Sequence, residues 1–132
     1  MTSKVLYVNL IVLFFSACTY QEKQNNVNAH LYSKDTINIG KISRNDLIPV
    51  SFKLLNSSNS ENIKIYKVSS ECGCLILKDS TFIIKPKSER IFSVIYKPNI
   101  KEKGTVVKTI GLLSNLSPPI IFLYFKAELE ND

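Results

Sequence analysis

Apolar residues fall into three patterns along this 132-residue chain, and each predicts a different kind of structure. Val5 to Phe15 is a continuous apolar run interrupted only by Tyr7 and Asn9. It is shorter than the roughly 20 apolar residues that a membrane-spanning helix needs. Thr19 to about Lys34 is rich in Gln, Asn, Lys and Ser and has no apolar period, the composition of a flexible tether. From Thr36 onward, short apolar runs are broken by turn residues, and no stretch sustains a 3.6-residue apolar period.

That last region predicts strands. Leu47 to Leu55 is the clearest, with Ile48, Val50, Phe52 and Leu54 on one face and Pro49, Ser51 and Lys53 on the other. Asn56 to Asn62 is wholly polar and predicts a loop. Ile63 to Ser70 is a second strand in which Val68 breaks the parity of Ile63 and Ile65, the mark of a bulge. Thr36 to Ile42, Thr81 to Lys85, Glu89 to Tyr96, Gly104 to Asn115 and Ile120 to Leu129 complete the set. The last strand alternates Ile121, Leu123, Phe125, Ala127 and Leu129 as a core face. About seven short strands at near-regular spacing predict an all-β fold over residues 36–130, an immunoglobulin-like β-sandwich. A small barrel would give a similar pattern.

The N-terminal run reads as a targeting segment. Met1 to Lys4 carries one positive charge, the apolar run follows, and the segment ends in Phe15-Ser16-Ala17-Cys18. Small residues before a cysteine suit a signal peptidase cleft. This run resembles the bacterial lipobox, with Phe15 in place of the usual Leu. The resemblance implies a cleaved lipoprotein signal peptide over 1–17, a diacylglyceryl thioether on Cys18 and an N-acyl chain such as palmitate. Residues 18–35 would then form the lipidated tether. Several acyl chains give durable anchoring, since each buried methylene contributes about 0.8 kcal/mol. His30, the one histidine, falls in the tether with no second ligand near it in sequence, which predicts a solvated residue.

Charge changes this picture little. Seventeen Lys and Arg against eleven Asp and Glu give a net +6, but the lysines are scattered singly among apolar residues. No run of four basic residues makes a patch, so nucleic acid is not an expected partner. The expected partners are the membrane, through Cys18, and a protein or envelope polymer that the sequence does not name.

The one constellation with possible chemistry is Cys72-Gly73-Cys74. Glycine between two cysteines frees the backbone to turn both thiols towards one point. Two thiolates can hold a soft ion such as Cu(I), whereas zinc wants four ligands and the domain has no further Cys or His. The pair can also cycle between dithiol and disulfide, or form a static disulfide in an oxidising compartment. The leading reading is structural: small side chains at a tight strand–turn junction. No metal and no cofactor is expected.

The span from Ile39-Gly40 to Glu128 resembles the DUF1573 family, Ig-like domains common in Bacteroidetes. The residues that carry the resemblance are Ile39-Gly40, Phe52 to Asn56, Glu71-Cys72-Gly73-Cys74-Leu75, Pro86-Lys87-Ser88, Ile91 to Tyr96, Gly104 with Ser114-Asn115, and Ile120 to Leu129. The chain departs from the family pattern at Glu71 and Leu75, which replace small polar flanks of the cysteines, and at Lys87, where the family turn has glycine. The resemblance implies the sandwich fold and an envelope location, and brings no established activity. A Bacteroidetes-type source would also make Thr36 in Asp35-Thr36-Ile37 and Ser80 in Asp79-Ser80-Thr81 candidate O-glycosylation sites.

An enzyme is not expected. A hydrolase needs a nucleophile, a base and a group to orient the base, and the domain has no His while Asp46, Asp79 and the glutamates show no informative spacing. The sequence predicts a non-catalytic, lipid-anchored, periplasm-facing envelope protein with a binding or assembly domain. The alternative is a thiol-based Cu(I) or redox carrier that uses Cys72 and Cys74.

Overall fold

The computed structural model describes residues 30–33 and 36–130. The expected signal peptide (1–17), Cys18 and most of the expected tether lie outside the described residues. Nine strands are present among the described residues: β1 (Leu31–Tyr32), β2 (Ile37–Ile42), β3 (Ile48–Asn56), β4 (Ile63–Ser70), β5 (Leu75–Leu77), β6 (Phe82–Ile84), β7 (Glu89–Tyr96), β8 (Gly104–Ser114) and β9 (Ile120–Leu129). They form two sheets, ordered β1-β3-β7-β5 and β2-β9-β8-β4-β6. All pairings are antiparallel except β2 with β9.

Period-two alternation decides which face each strand buries. On β3, Val50, Phe52 and Leu54 are buried while Pro49, Ser51 and Lys53 are exposed. β7 buries Phe92, Val94 and Tyr96 against them from the same sheet. Across the interior, β8 supplies Ile110 and Leu112, and β9 supplies Leu123, Phe125, Ala127 and Leu129. Aromatic pairs lock this layer: the Tyr96 and Phe125 rings meet edge-on with centroids 5.2 Å apart, and Phe82 stacks on Phe92 at 5.5 Å.

All seven strands read from the alternation are present, each end within one residue of expectation. The parity break in β4 is a register shift between Ile65 and Lys67 against β8. Two strands escaped the pattern. The first is β1, which places a strand inside the expected tether: Leu31 and Tyr32 pair with Asn56 and Leu55, and the Ser57 N–H donates to the His30 carbonyl at 3.2 Å. The ordered domain therefore begins at least five residues before residue 36. Two residues are too few to show an alternation, and only long-range pairing with β3 reveals them. The same limit hid β5, a three-residue strand.

Both lateral edges are split. On one side β1 covers only the Asn56 end of β3, then the chain crosses to the other sheet, where β2 covers only Phe125–Leu129 of β9. On the other side β5 covers Val94–Tyr96 of β7, and β6 covers Ile63–Ile65 of β4. Among the described residues, Glu89–Ser93 of β7 and Tyr66–Ser70 of β4 thus have a strand on one flank only.

Candidate functional site

β4 ends at Ser70, and the chain then leaves one sheet for the other through Glu71-Cys72-Gly73-Cys74 before β5 begins at Leu75. Hydrogen bonds pin this crossover at three points. The Ser70 hydroxyl donates to the Cys72 carbonyl at 2.9 Å. The Lys97 N–H donates to the Cys74 carbonyl at 2.8 Å, continuing the β5–β7 ladder. The Thr109 N–H on β8 donates to the Glu71 carboxylate at 3.1 Å. Glu71, a departure from the family pattern, thereby ties the corner to β8, the neighbour of β4 in the sheet that the chain is leaving.

Cys72 and Cys74 are joined as a disulfide, Cα–Cα 5.2 Å, and both are half-buried against the core. In this state neither sulfur is a thiolate, so a soft metal ion would first need the bond to be reduced. Among the described residues no group of three His, Cys, Asp or Glu side chains is placed to hold a metal. Gly73 differs from expectation. Its φ lies outside the left-handed region, and a Cβ built on it meets nothing within 4 Å, so the turn does not depend on glycine there. The carbonyl anchors to Ser70 and Lys97 set the backbone instead.

The glycines whose conformation does matter are Gly40 (φ +77°) and Gly104 (φ +66°), at the β2 bulge and the start of β8. At the turn where the family pattern has glycine, Lys87 takes φ 53°, a left-handed conformation imposed on a residue with a Cβ.

At the same end of the sandwich as the disulfide lies a polar cluster that the sequence did not announce. Glu102 accepts from the Tyr96 hydroxyl at 2.6 Å and the Asn99 N–H at 3.1 Å, and it ion-pairs with Lys108. Burial alone would push the Glu102 carboxyl up. The Lys108 ammonium, the Tyr96 hydroxyl and the Asn99 N–H outweigh it, and the group is held below the usual carboxylate range. The Tyr96 phenol moves the other way, raised by its burial and then by its hydrogen bond to Glu102. Both Glu102 carboxylate oxygens are engaged, so the cluster is a clasp between the β7–β8 loop and the core.

At the opposite end, Asn56 plays a comparable part. Fully buried, it donates to the carbonyls of Glu61 (2.8 Å) and Ile84 (2.9 Å) and accepts from the Ser58 N–H (2.9 Å). Asn115 closes the same end, accepting from the Lys64 N–H at 2.8 Å and donating to the Asn62 carbonyl at 3.0 Å. The motif residues Asn56, Ser114 and Asn115 thus hold loops on a frame.

The remaining candidates do not converge. His30 is exposed, and its carbonyl accepts from Ser57. Thr36 and Ser80 are both exposed. Asp46 sits in the β2–β3 turn, while Asp79 pairs with Arg90 at 3.3 Å. No described arrangement joins a nucleophile to a base.

Solved structures with this architecture are diverse. A protein of unknown function from Porphyromonas gingivalis W83 superposes with a TM-score of 0.62 at 14% identity, covering 76% of this chain and 47% of that one. The chain thus spans about half the length of that protein. An ASH/PapD-like domain of human CEP192 matches with a TM-score of 0.59 at 8% identity, over 81% of this chain and 88% of that one. The periplasmic chaperone SfaE matches with a TM-score of 0.53 at 9% identity, over 78% of this chain and 57% of that one. At such identities the likeness establishes the Ig-like, PapD-like sandwich and nothing further. No curated protein matches by sequence. The family model described as a protein of unknown function, DUF1573, matches residues 31–129, and the chain belongs to that family.

Proposed function

We propose that this chain is a non-catalytic binding or assembly module, held on a bacterial envelope membrane by acylation of Cys18 and facing the periplasm. The split lateral edge beside the disulfide corner carries the reading. The crossover at Cys72–Cys74 ends one sheet's edge and starts the other's, leaving Glu89–Ser93 of β7 and Tyr66–Ser70 of β4 with open backbone on one flank. An extended segment of a partner can add to such an edge, with main-chain hydrogen bonds giving affinity and alternate side chains giving specificity. The β7 stretch has no proline and exposes Ile91 beside the edge. On the other side β3 carries Pro49, which has no N–H to offer a partner strand. The PapD-like fold, shared with a periplasmic chaperone, is compatible with this use.

The test has two arms. Intact mass of the membrane-extracted protein reads the acyl group on Cys18. A photoreactive side chain at Ile91 should crosslink a discrete partner in intact cells, whereas one at Lys126, exposed on β9 but flanked by β2 and β8, should not. Equal labelling from both positions would refute an edge-directed site.

The disulfide supports a second reading, a thiol-based redox or Cu(I) carrier. Reduction followed by Cu(I) titration decides it. A stoichiometric complex lost in the C72S/C74S variant favours the carrier, and its absence leaves the pair a structural staple.

A further inference from the structure

We propose that the outer face of the five-stranded sheet docks on an anionic lipid surface, pressing the Asn56 end of the domain against the membrane that carries its anchor; this rests on the acylation of Cys18 proposed above.

On that face most exposed apolar residues gather at one end, with Val107 apart in the other half. Leu113, Ile120 and Phe122 are 40%, 51% and 53% exposed, on a solvent face where alternation normally places polar residues. The β4 bulge enlarges the patch. Between the buried Ile65 and Val68 it places two consecutive exposed residues, Tyr66 and Lys67, the second in register with Leu113. Gly111, paired with both Ser69 and Phe122, keeps the middle of the face flat: a Cβ there would lie 3.0 Å from the Ser69 hydroxyl and 3.8 Å from the Phe122 ring. The hairpin that joins β8 to β9 extends the patch with an exposed Ser117-Pro118-Pro119 tip.

Charge identifies the occupant. The charged residues on this half of the face are Lys64 and Lys67, both cationic. The face's acids lie in the other half, where Glu128 is in register with Lys41 and Glu71 is taken up by the Thr109 N–H. The loops and strand ends at the Asn56 end add Lys85 and Lys87 against two acids, Glu61 and Glu89, the second of them paired with Lys53. An apolar patch with a lysine rim matches a membrane interface: the rings and aliphatic chains enter below the headgroups, and the ammonium groups meet lipid phosphates.

Chain entry agrees with this placement. His30 lies against Ser57, at the same end of the sandwich, and stands twelve positions after Cys18. At about 3.4 Å per residue that spacing can reach about 40 Å, enough for either face to meet the bilayer. The anchor makes docking intramolecular, so a small patch suffices.

The chain has no tryptophan, so F122W provides a single reporter and I91W, on the outer face of the other sheet, provides the control. Each full-length lipoprotein is reconstituted into vesicles with brominated acyl chains, of phosphatidylcholine alone or with phosphatidylglycerol. F122W should shift to the blue and be quenched several-fold more than I91W, more strongly with the anionic lipid, and K64E/K67E should cancel the difference. Equal quenching of the two reporters in acylated protein overturns the proposal. A concentration-dependent blue shift of F122W without vesicles overturns it in favour of a second copy. If the mass shows no acyl group on Cys18, the anchor reading has failed by itself. Sedimentation of the same chain with anionic vesicles then decides the patch, binding supporting it and no binding overturning it.

Discussion

Reducing the Cys72–Cys74 bond separates a staple from a framework disulfide, because the ring it closes contains only three residues. In the chain-entropy account, a loop of that size constrains the unfolded chain by about 5.4 cal/mol/K, or about 1.6 kcal/mol at 25 °C. A loop of 15 residues would contribute about 3 kcal/mol. Reduction leaves both sulfurs where they pack against the core, so no cavity adds to the loss. The crossover also keeps its anchors: Ser70 on the Cys72 carbonyl, Lys97 on the Cys74 carbonyl and Thr109 on Glu71. The expected loss is therefore about 1.6 kcal/mol, which lowers Tm by about 6–12 °C in a domain of this size. Urea unfolding followed by far-UV circular dichroism, with and without reductant, measures it, and unchanged m-values check that the transition stays two-state. The C72S/C74S variant should unfold near the reduced protein and ignore reductant. A loss above about 3 kcal/mol on reduction would refute the argument, since chain entropy cannot supply it for so short a loop. No loss at all would also refute it, because the bond would then constrain nothing in the unfolded chain.

Three further outcomes follow from particular contacts. Asn56→Ala removes three hydrogen bonds and strands the buried Ile84 carbonyl, so it should cost about 3 kcal/mol by denaturant unfolding, while Ser51→Ala, at an exposed Ser51–Ser93 contact, should cost under about 0.5 kcal/mol. Lys87→Gly should raise stability by up to about 1 kcal/mol, because relief of the left-handed backbone at φ 53° exceeds the extra freedom glycine gives the unfolded chain. Glu102 is held below the usual carboxylate range when folded, so its contribution is fully present above the unfolded value. It is lost as pH falls from about 4.5 through the lower folded value. Stability measured across that window should slope downwards in the native protein and flatten in Glu102→Gln.

Alternation along the chain determined the strands and most of the core. Val50, Phe52 and Leu54, or Leu123, Phe125 and Ala127, sit at every second position, and a pleated backbone puts those positions on one face whatever the partner. The parity break at Val68 likewise announced the bulge, because two residues against one is a local event. Turn chemistry was only partly legible: Asn56, Gly104 and Ser114-Asn115 stood out as motif residues, but not the carbonyls and amides they serve. Those partners come from Ile84, Lys64 and Pro119, brought together by the sandwich rather than by sequence distance.

Only the tertiary structure decided the rest. β1 and β5 exist because β3 and β7 offer them ladders, and strands of two or three residues carry no period of their own. The Glu102 clasp depends on Tyr96 and Lys108 facing each other across a loop. Gly73 attracted attention as the hinge of the cysteine motif, yet its neighbours' hydrogen bonds fix that turn and leave the glycine replaceable. The cluster of Tyr66, Leu113, Ile120 and Phe122 joins residues from three strands, and only cross-strand register makes them one surface. A single chain specifies which side of each strand is apolar, but which strands become neighbours is settled by burying all those sides at once.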